Sequence, residues 1–195
     1  MDPRSEFIPQ GLKPQPSLDE CGTAEAVPFQ NANPPTAVYS TPARCLILAC
    51  GNTLREDDGV GPWLAAWAEE RFRAEPGVRV VSVHQWTPEL AEDVAGAESV
   101  IFVDCAMNSK AGSVSLMAVD PCGNTPAVAT HHLDASQLLS LSKELYGAIP
   151  HASLQLTLGV ESLELREGFS EAAQAALPAA CAELEKAVFE ILAGS

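Results

Sequence analysis

The amino-acid sequence predicts an α/β protein, a three-layer α/β/α sandwich built around a mainly parallel central sheet. Short apolar or β-branched runs alternate along the chain with longer segments of helical character, which is the order of repeated strand–helix units. The first of these runs, CLILAC, is continuously apolar, as is typical of a strand covered by helices on both faces. Right-handed connections between the strands would then place helices on both sides of the sheet.

The beginning of the chain differs from the rest. Residues 1–42 are rich in Pro, Asn, Gln and Ser and show neither a helical nor a strand period. We therefore interpret them as a flexible, Pro-rich N-terminal extension. Residues 43–195 are predicted to form a single α/β domain, which is large enough to enclose its own core.

Five segments have the composition of strands. The first, CLILAC, is a short continuous apolar run, and the second, VRVVSVH, is mainly β-branched. The third, SVIFVDC, is typical of a buried strand that ends in an acid. The predicted strands cover residues 45–50, 78–84, 99–105, 113–119 and 152–160.

Four segments are predicted helices, and most have recognisable end signals. Thr87 followed by Pro88 is typical of a helix start, Ser170 is a candidate N-cap, and Gly147 is a candidate C-terminal stop. Pro178 is expected to kink the last helix or to split it into two pieces. The predicted helices cover residues 60–75, 87–97, 133–147 and 169–194.

The charge and the cysteines exclude several classes of function. The formal net charge of -15, from 26 acidic and 11 basic residues, opposes binding to nucleic acid or to anionic membranes. The six cysteines include no CxxC pair, which disfavours a zinc ribbon or a thioredoxin-like site. No apolar run approaches the length of a transmembrane helix, and the N-terminus lacks the pattern of a signal peptide. We therefore expect a cytoplasmic protein with reduced thiols.

Polar residues follow several of the predicted strands at one edge of the sheet. The acidic run 56–58 comes after the first strand, Asp104 ends the third, and His131 and His132 precede the third helix. In open α/β sheets, ligands bind beyond the carboxyl ends of the strands. Two carboxylates and an imidazole at this edge could form a mixed oxygen and nitrogen site for a divalent transition metal.

Structural roles for the same residues remain open. The turn is not a phosphate-binding loop, because it has neither the GxGxxG nor the Walker pattern and its charge has the wrong sign. Helix capping accounts for one aspartate, but not for two beside a glutamate. We expect Asp58 to be the ligand, Asp57 to cap or orient the helix start, and Glu56 to be solvated. Asp104 could instead cap a loop, and the histidines could be a locally bonded pair at the helix entry.

The motifs in this order resemble those of the hydrogenase maturation endopeptidases. ILACGNTLREDDGVG is similar to the strand, GN turn and acidic pair at the start of that family. AESVIFVDCAMNSKAGSV looks like its second motif, and ATHHLDASQLLSLSKELYG like its third, in which a histidine enters a helix. GFSEAAQAALPAA is similar to its C-terminal segment. The resemblance covers the chain from about residue 44 to its end.

The resemblance implies a function and a set of site residues. Such proteins remove a C-terminal peptide from the large-subunit precursor of nickel–iron hydrogenase after nickel has been inserted. The resemblance therefore implies a metal-dependent, aspartic-type endopeptidase whose nickel is carried by the substrate. The metal-contacting and catalytic residues it implies are Asp58, Asp104 and His131, with His131 preferred to His132 because Leu133 matches the family leucine. We expect the protein to act as a monomer.

Two alternatives remain. Cys50 or Cys105 could act as a nucleophile with a nearby histidine, although neighbouring carboxylates would raise the pKa of either thiol. The protein could also be a non-catalytic nickel-delivery or scaffold protein that binds the hydrogenase precursor without cutting it.

Overall fold

The computed structural model describes residues 42–122 and 133–194, so most of the predicted extension lies outside the described residues. Its elements follow the predicted order. The strands are β1 (Cys45–Cys50), β2 (Val78–Val83), β3 (Ser99–Ala106), β4 (Val114–Ala118) and β5 (Ala152–Gly159). The helices are α1 (Val60–Arg71), α2 (Ala91–Ala95), α3 (Ala135–Tyr146) and α4 (Glu171–Gly194). Single 3-10 turns cover Glu56–Gly59 and Pro88–Leu90.

The strands form one five-stranded sheet in the order β2-β1-β3-β5-β4. β1 pairs in parallel with β2 and β3, and β3 pairs in parallel with β5. Only β4, at one edge of this sheet, runs antiparallel to its neighbour β5. The predicted fold class, with its mainly parallel sheet, is confirmed.

Helices cover both faces of this sheet and create two cores. Ile47 and Ala49 of β1 belong to a buried cluster shared with α1 and α4. Leu46 and Leu48 belong to a second cluster, shared with α2 and α3. Successive side chains of a strand point to opposite faces, so a strand in the middle layer must be apolar at every position. The continuous apolar run of β1 therefore has the environment that its sequence predicts.

The ends of α3 are set by local chemistry. The Asp134 side chain accepts a hydrogen bond from the Gln137 backbone N–H (2.8 Å), and the Gln137 side chain accepts one from the Asp134 N–H (2.9 Å). This capping box satisfies donors that the first helical turn leaves without partners. Gly147 ends the helix with φ 68°, the left-handed conformation that glycine adopts readily, as predicted.

Helix α4 differs from the prediction, because it continues through Pro178 as a single helix. Of the two expected effects of Pro178, the division into two pieces is wrong, and the kink stays a prediction. Pro178 lies on the exposed side of the helix, where the carbonyl that loses its backbone partner can bind water. Leu177 before it and Ala180 after it are both buried in the core shared with the sheet, and this packing favours a helix that continues on both sides of the proline.

The order of the strands indicates where a ligand-binding crevice lies. The chain passes from β1 outward to β2 and then returns across β1 to form β3, so the order reverses between β1 and β3. Ligand sites of open α/β sheets lie at such a point, beyond the carboxyl ends of the strands.

None of the helices in the described part of the chain combines the length and hydropathy needed to cross a bilayer.

Candidate active site at the carboxyl edge of the sheet

The acidic turn folds back over the end of β1, and two glycines make this possible. Gly51 has φ 144°, and a Cβ atom at this position would lie 1.9 Å from the carbonyl oxygen of Asp58. A Cβ atom on Gly61 would lie 1.9 Å from the carbonyl oxygen of Cys50. Only glycine permits such close approach of two backbone segments. The turn is thereby pressed against the strand end, and α1 begins directly above it.

Asp58 is held at the reversal point by the GN turn. One of its carboxylate oxygens, Oδ2, accepts a hydrogen bond from the Asn52 backbone N–H (3.1 Å). The other oxygen, Oδ1, lies 3.6 Å from the Cys105 sulfur. The Asn52 side chain in turn accepts from the Leu54 backbone N–H (3.0 Å). Asp58 is partly exposed, so a ligand arriving from solvent can reach it.

Asp104 lies near the end of β3, beside Cys105, which contacts Asp58. Its Oδ1 atom accepts a hydrogen bond from the Cys105 backbone N–H (2.8 Å), and the Cys50 thiol also donates to this carboxylate. Burial raises the pKa of Asp104; these two hydrogen bonds lower it, and the charge of Asp58 raises it again. The structure thus brings two of the predicted site residues together across the reversal point.

The third predicted ligand is one of two adjacent histidines. His131 and His132 both lie outside the described residues. Within the described ranges, no group of three or more His, Cys, Asp or Glu side chains is arranged to hold a metal ion. Asp58 and Asp104 alone supply hard oxygen donors, and a metal at this edge needs further ligands from elsewhere. The assignment of Asp58, Asp104 and His131 as ligands stays a prediction.

Glu56 does not have the environment expected from the sequence. It was predicted to be solvated, but it is 2% exposed and forms an ion pair with Arg166 in the loop between β5 and α4. Its backbone has φ 47°, which is uncommon for a residue other than glycine. The backbone N–H of Glu56 also donates to the Arg166 carbonyl (2.7 Å). The prediction was wrong because the neutralising arginine lies 110 residues away in sequence.

Asp57 does not cap α1 but binds Ser170, the residue that caps α4. It was predicted to cap or orient the start of α1, where the N-cap position is instead occupied by Gly59 without a side-chain hydrogen bond. The fully buried Asp57 carboxylate accepts from the Ser170 backbone N–H (2.7 Å) and the Ser170 hydroxyl (2.8 Å). Ser170 then caps α4 by accepting from the Ala173 N–H (3.2 Å), as predicted for this serine. The acidic turn is therefore fastened to the start of α4.

Two thiols complete the site, and both are protonated at neutral pH. Burial, followed by the charges of Asp104 and Asp58, raises the pKa of Cys105 to about 12. Burial and the Asp104 charge also raise the pKa of Cys50. A thiol in this state is a weak nucleophile and a hydrogen-bond donor, which argues against a cysteine nucleophile. The raised thiol pKa is predicted from the sequence, but the hydrogen bonds that these thiols donate to the carboxylates are not.

Comparison with known proteins finds similarity at the level of structure. No protein-family model matches the sequence, and no curated protein matches it either. The fold is similar to the hydrogenase maturating endopeptidase HybD from E. coli, with a TM-score of 0.58 and 21% identity over 75% of this chain and 93% of that chain. It is also similar to a [NiFe] hydrogenase maturation protease, HycI, from Thermococcus kodakarensis KOD1. That match has a TM-score of 0.53 and 26% identity over 80% of this chain and 96% of that chain.

A third solved structure agrees with these two. It is the hydrogenase 2 maturation peptidase from Thaumarchaeota archaeon SCGC_AB-539-E09, with a TM-score of 0.53 and 22% identity. The match covers 74% of this chain and 97% of that chain, so nearly the whole of the similar protein is represented. These matches confirm the resemblance that the ordered motifs predict.

Proposed function

We propose that this chain, which has the fold of the hydrogenase maturation endopeptidases and carries their motifs in order, is itself such an enzyme. Its reaction would be the removal of the C-terminal peptide from a nickel-loaded [NiFe] hydrogenase large-subunit precursor. The observation that carries the proposal is the approach of Asp58 and Asp104 at the reversal point of the sheet, linked through Cys105. These aspartates lie far apart in the sequence, in the motifs that the resemblance selects.

In this proposal nickel belongs to the substrate. The precursor brings the metal in its own ligand set, and Asp58, Asp104 and His131 complete the coordination. Carboxylate oxygens and an imidazole nitrogen suit an intermediate divalent cation such as nickel. Such an arrangement makes recognition depend on metal loading, because a nickel-free precursor offers no cation to the two carboxylates. Peptide hydrolysis requires a polarised carbonyl or an activated water, which a metal and a carboxylate can supply together.

The residues around the carboxylates have a positioning role in this scheme. Neutral thiols at Cys50 and Cys105 hydrogen-bond the carboxylates without adding negative charge. The bonds between Asp57 and Ser170 hold the acidic turn against α4. The metal therefore meets oxygens that are already oriented, which lowers the entropy lost on binding.

We infer a cytoplasmic location and action as a monomer. The cysteines at positions 45, 50, 105, 122 and 181 are all free within the described residues, which suits a reducing compartment. The net charge of -15 opposes self-association as well as adsorption to nucleic acid or anionic membranes. A monomer that meets its precursor transiently fits these properties.

The test is a comparison of nickel-loaded and nickel-free precursor. Each form of the large-subunit precursor is incubated with the protein, and the intact mass of the precursor is measured over time. We expect loss of a C-terminal peptide only from the nickel-loaded form. No loss from either form, with binding retained, would support the non-catalytic scaffold instead. Equal cleavage of both forms would refute nickel recognition.

A further inference from the structure

Three large apolar side chains are exposed on the loops that surround the two carboxylates. Leu54 is 54% exposed, Met107 is 52% exposed and Leu165 is 85% exposed. Single exposed apolar residues are common on protein surfaces, but several gathered around a candidate site indicate a contact surface. We call these three residues the apolar rim.

The apolar rim follows three neighbouring strands. Leu54 lies in the turn after β1, Met107 follows β3 directly, and Leu165 lies in the loop after β5. The strands β1, β3 and β5 are adjacent and parallel, so their carboxyl ends open at the same edge. The three loops are also joined to one another by backbone bonds, Val160 N–H to the Ala106 carbonyl (3.1 Å) and Glu56 N–H to the Arg166 carbonyl (2.7 Å).

Leu165, the most exposed residue of the apolar rim, lies in a loop that is bonded to the acidic turn both before and after this residue. Immediately after Leu165, the Arg166 backbone and guanidinium both bind Glu56. Before it, the Glu161 N–H donates to the Asp57 carboxylate (3.4 Å), and after it Ser170 binds the same carboxylate. Because these bonds already order the backbone of the loop, little further backbone entropy is lost when a partner covers Leu165.

Charge around the rim indicates the chemistry of the partner. The loop that carries Leu165 also carries three exposed carboxylates, at Glu161, Glu164 and Glu167, while the charge of its Arg166 is already neutralised by Glu56. The loops of Leu54 and Met107 each add one exposed cation, Arg55 and Lys110, but the acidic run 56–58 leaves the three loops together with a net negative charge. The complementary surface is therefore apolar and positively charged. Because the rim is continuous with the site of Asp58 and Asp104, a segment covering it would lie beside a metal held there.

We propose that the apolar rim is the docking surface for an apolar, basic segment of the hydrogenase large-subunit precursor that flanks the nickel. The proposal rests on the proposed function and assigns to the rim the recognition of polypeptide, separate from recognition of metal. Its contribution is to substrate affinity, because none of its three side chains has a group that could take part in hydrolysis.

The test uses the full chain with Leu54→Ser, Met107→Ser and Leu165→Ser combined, assayed against nickel-loaded precursor. The matched control combines Leu145→Ser with Met117→Ser, which are 59% and 67% exposed but lie on α3 and on the edge strand β4. We expect KM to rise at least about tenfold in the rim variant with kcat unchanged, since burying each apolar side chain contributes measurably to affinity. The control should keep both constants, and circular dichroism checks that both variants fold.

Several outcomes would overturn the docking surface: an unchanged KM in the rim variant, an equal rise in the control, or a fall in kcat alone. The Kd for precursor, measured by titration calorimetry, separates this proposal from the proposed function. If the wild-type protein binds the precursor without cutting it, the proposed proteolytic function is wrong. The docking surface is then supported only if the rim variant has a higher Kd for the precursor than the wild-type protein. If the wild-type protein neither binds nor cuts, both fail. If sedimentation shows a wild-type dimer that the rim variant loses while Kd is unchanged, the rim joins two copies of this chain instead.

Discussion

Asp58 and Asp104 share an environment that neither carboxylate would have alone. Both are partly buried, and the Asp58 charge acts on Asp104 to raise its pKa beyond the effect of burial. Backbone donors and neutral thiols offset part of this repulsion. A cation placed between the two carboxylates would relieve the rest, because each negative charge then gains an attractive partner. The charge of the two carboxylates therefore favours a cation over an anion as a ligand, as the proposed function requires.

We expect Asp58→Asn and His131→Ala each to lower the cleavage rate of nickel-loaded precursor by more than about 100-fold, since each removes a metal-binding atom. The fold should persist in both variants. In Asp58→Asn the side-chain oxygen can still accept the hydrogen bond that Asp58 accepts from the Asn52 backbone N–H. Precursor mass over time measures the cleavage, and circular dichroism measures the fold.

Matched controls accompany these variants. Glu144→Gln removes an exposed carboxylate from α3, away from the apolar rim, and should leave the rate unchanged. His132→Ala is the control for the choice between adjacent histidines. If His132→Ala abolishes cleavage while His131→Ala does not, the ligand assignment moves by one residue. Wild-type rates in Asp58→Asn would remove this aspartate from the site.

At the scale of elements, the acidic turn and the start of α4 form one unit. Asp57 is fully buried and accepts both the Ser170 backbone N–H and its hydroxyl, while Ser170 also caps α4. The ion pair between Glu56 and Arg166 adds a second attachment between the same two segments. A charge buried in this way is costly unless its hydrogen bonds are complete. The position of Asp58 therefore depends on contacts made by its two neighbours.

Ser170→Ala should lower the free energy of unfolding by about 1–3 kcal/mol. It removes a helix cap and also leaves one oxygen of the buried Asp57 without its hydroxyl partner. Urea denaturation followed by circular dichroism measures the change. Ser162→Ala, in the partly exposed loop before Leu165, is the control and should change the stability by less than about 0.5 kcal/mol. Equal stability of the two variants would contradict the structural role given to Ser170.

At the scale of the whole molecule, the two cores enclose thiols that must stay neutral. Cys45 of β1 is 0% exposed, and burial raises its pKa from the ordinary value of 9.0 to about 12. The unfolded chain would release this proton near pH 9, whereas the folded chain retains it. The contribution of the buried thiol to stability is therefore complete below pH 9 and is lost as the pH rises toward 12.

We accordingly expect the free energy of unfolding to fall between pH 9 and 12, by about 1.4 kcal/mol per pH unit for each buried thiol. Cys45→Ala should flatten this dependence, as measured by urea denaturation at a series of pH values. Cys181→Ala, which removes a partly exposed thiol of α4, is the control and should flatten it less. A pH dependence that Cys45→Ala leaves unchanged would contradict the assignment to this thiol.

The sequence by itself determined the elements and the fold class of this protein. Apolar runs, β-branched strands and helix-end residues are local signals, because they reflect backbone conformation and burial on both faces of a strand. The capping of α4 by Ser170 and the end of α3 at Gly147 were predicted for the same reason. The motif order also selected Asp58 and Asp104, which the fold then brought to one edge.

The tertiary structure alone decided how the three acids of the turn are used. Glu56 is buried against Arg166, and Asp57 binds Ser170, partners that lie 110 and 113 residues away in sequence. The continuity of α4 through Pro178 was likewise decided by packing on either side of the proline. Contacts of this kind depend on which segments the folded sheet places side by side, and a local pattern of residue types contains no information about such distances.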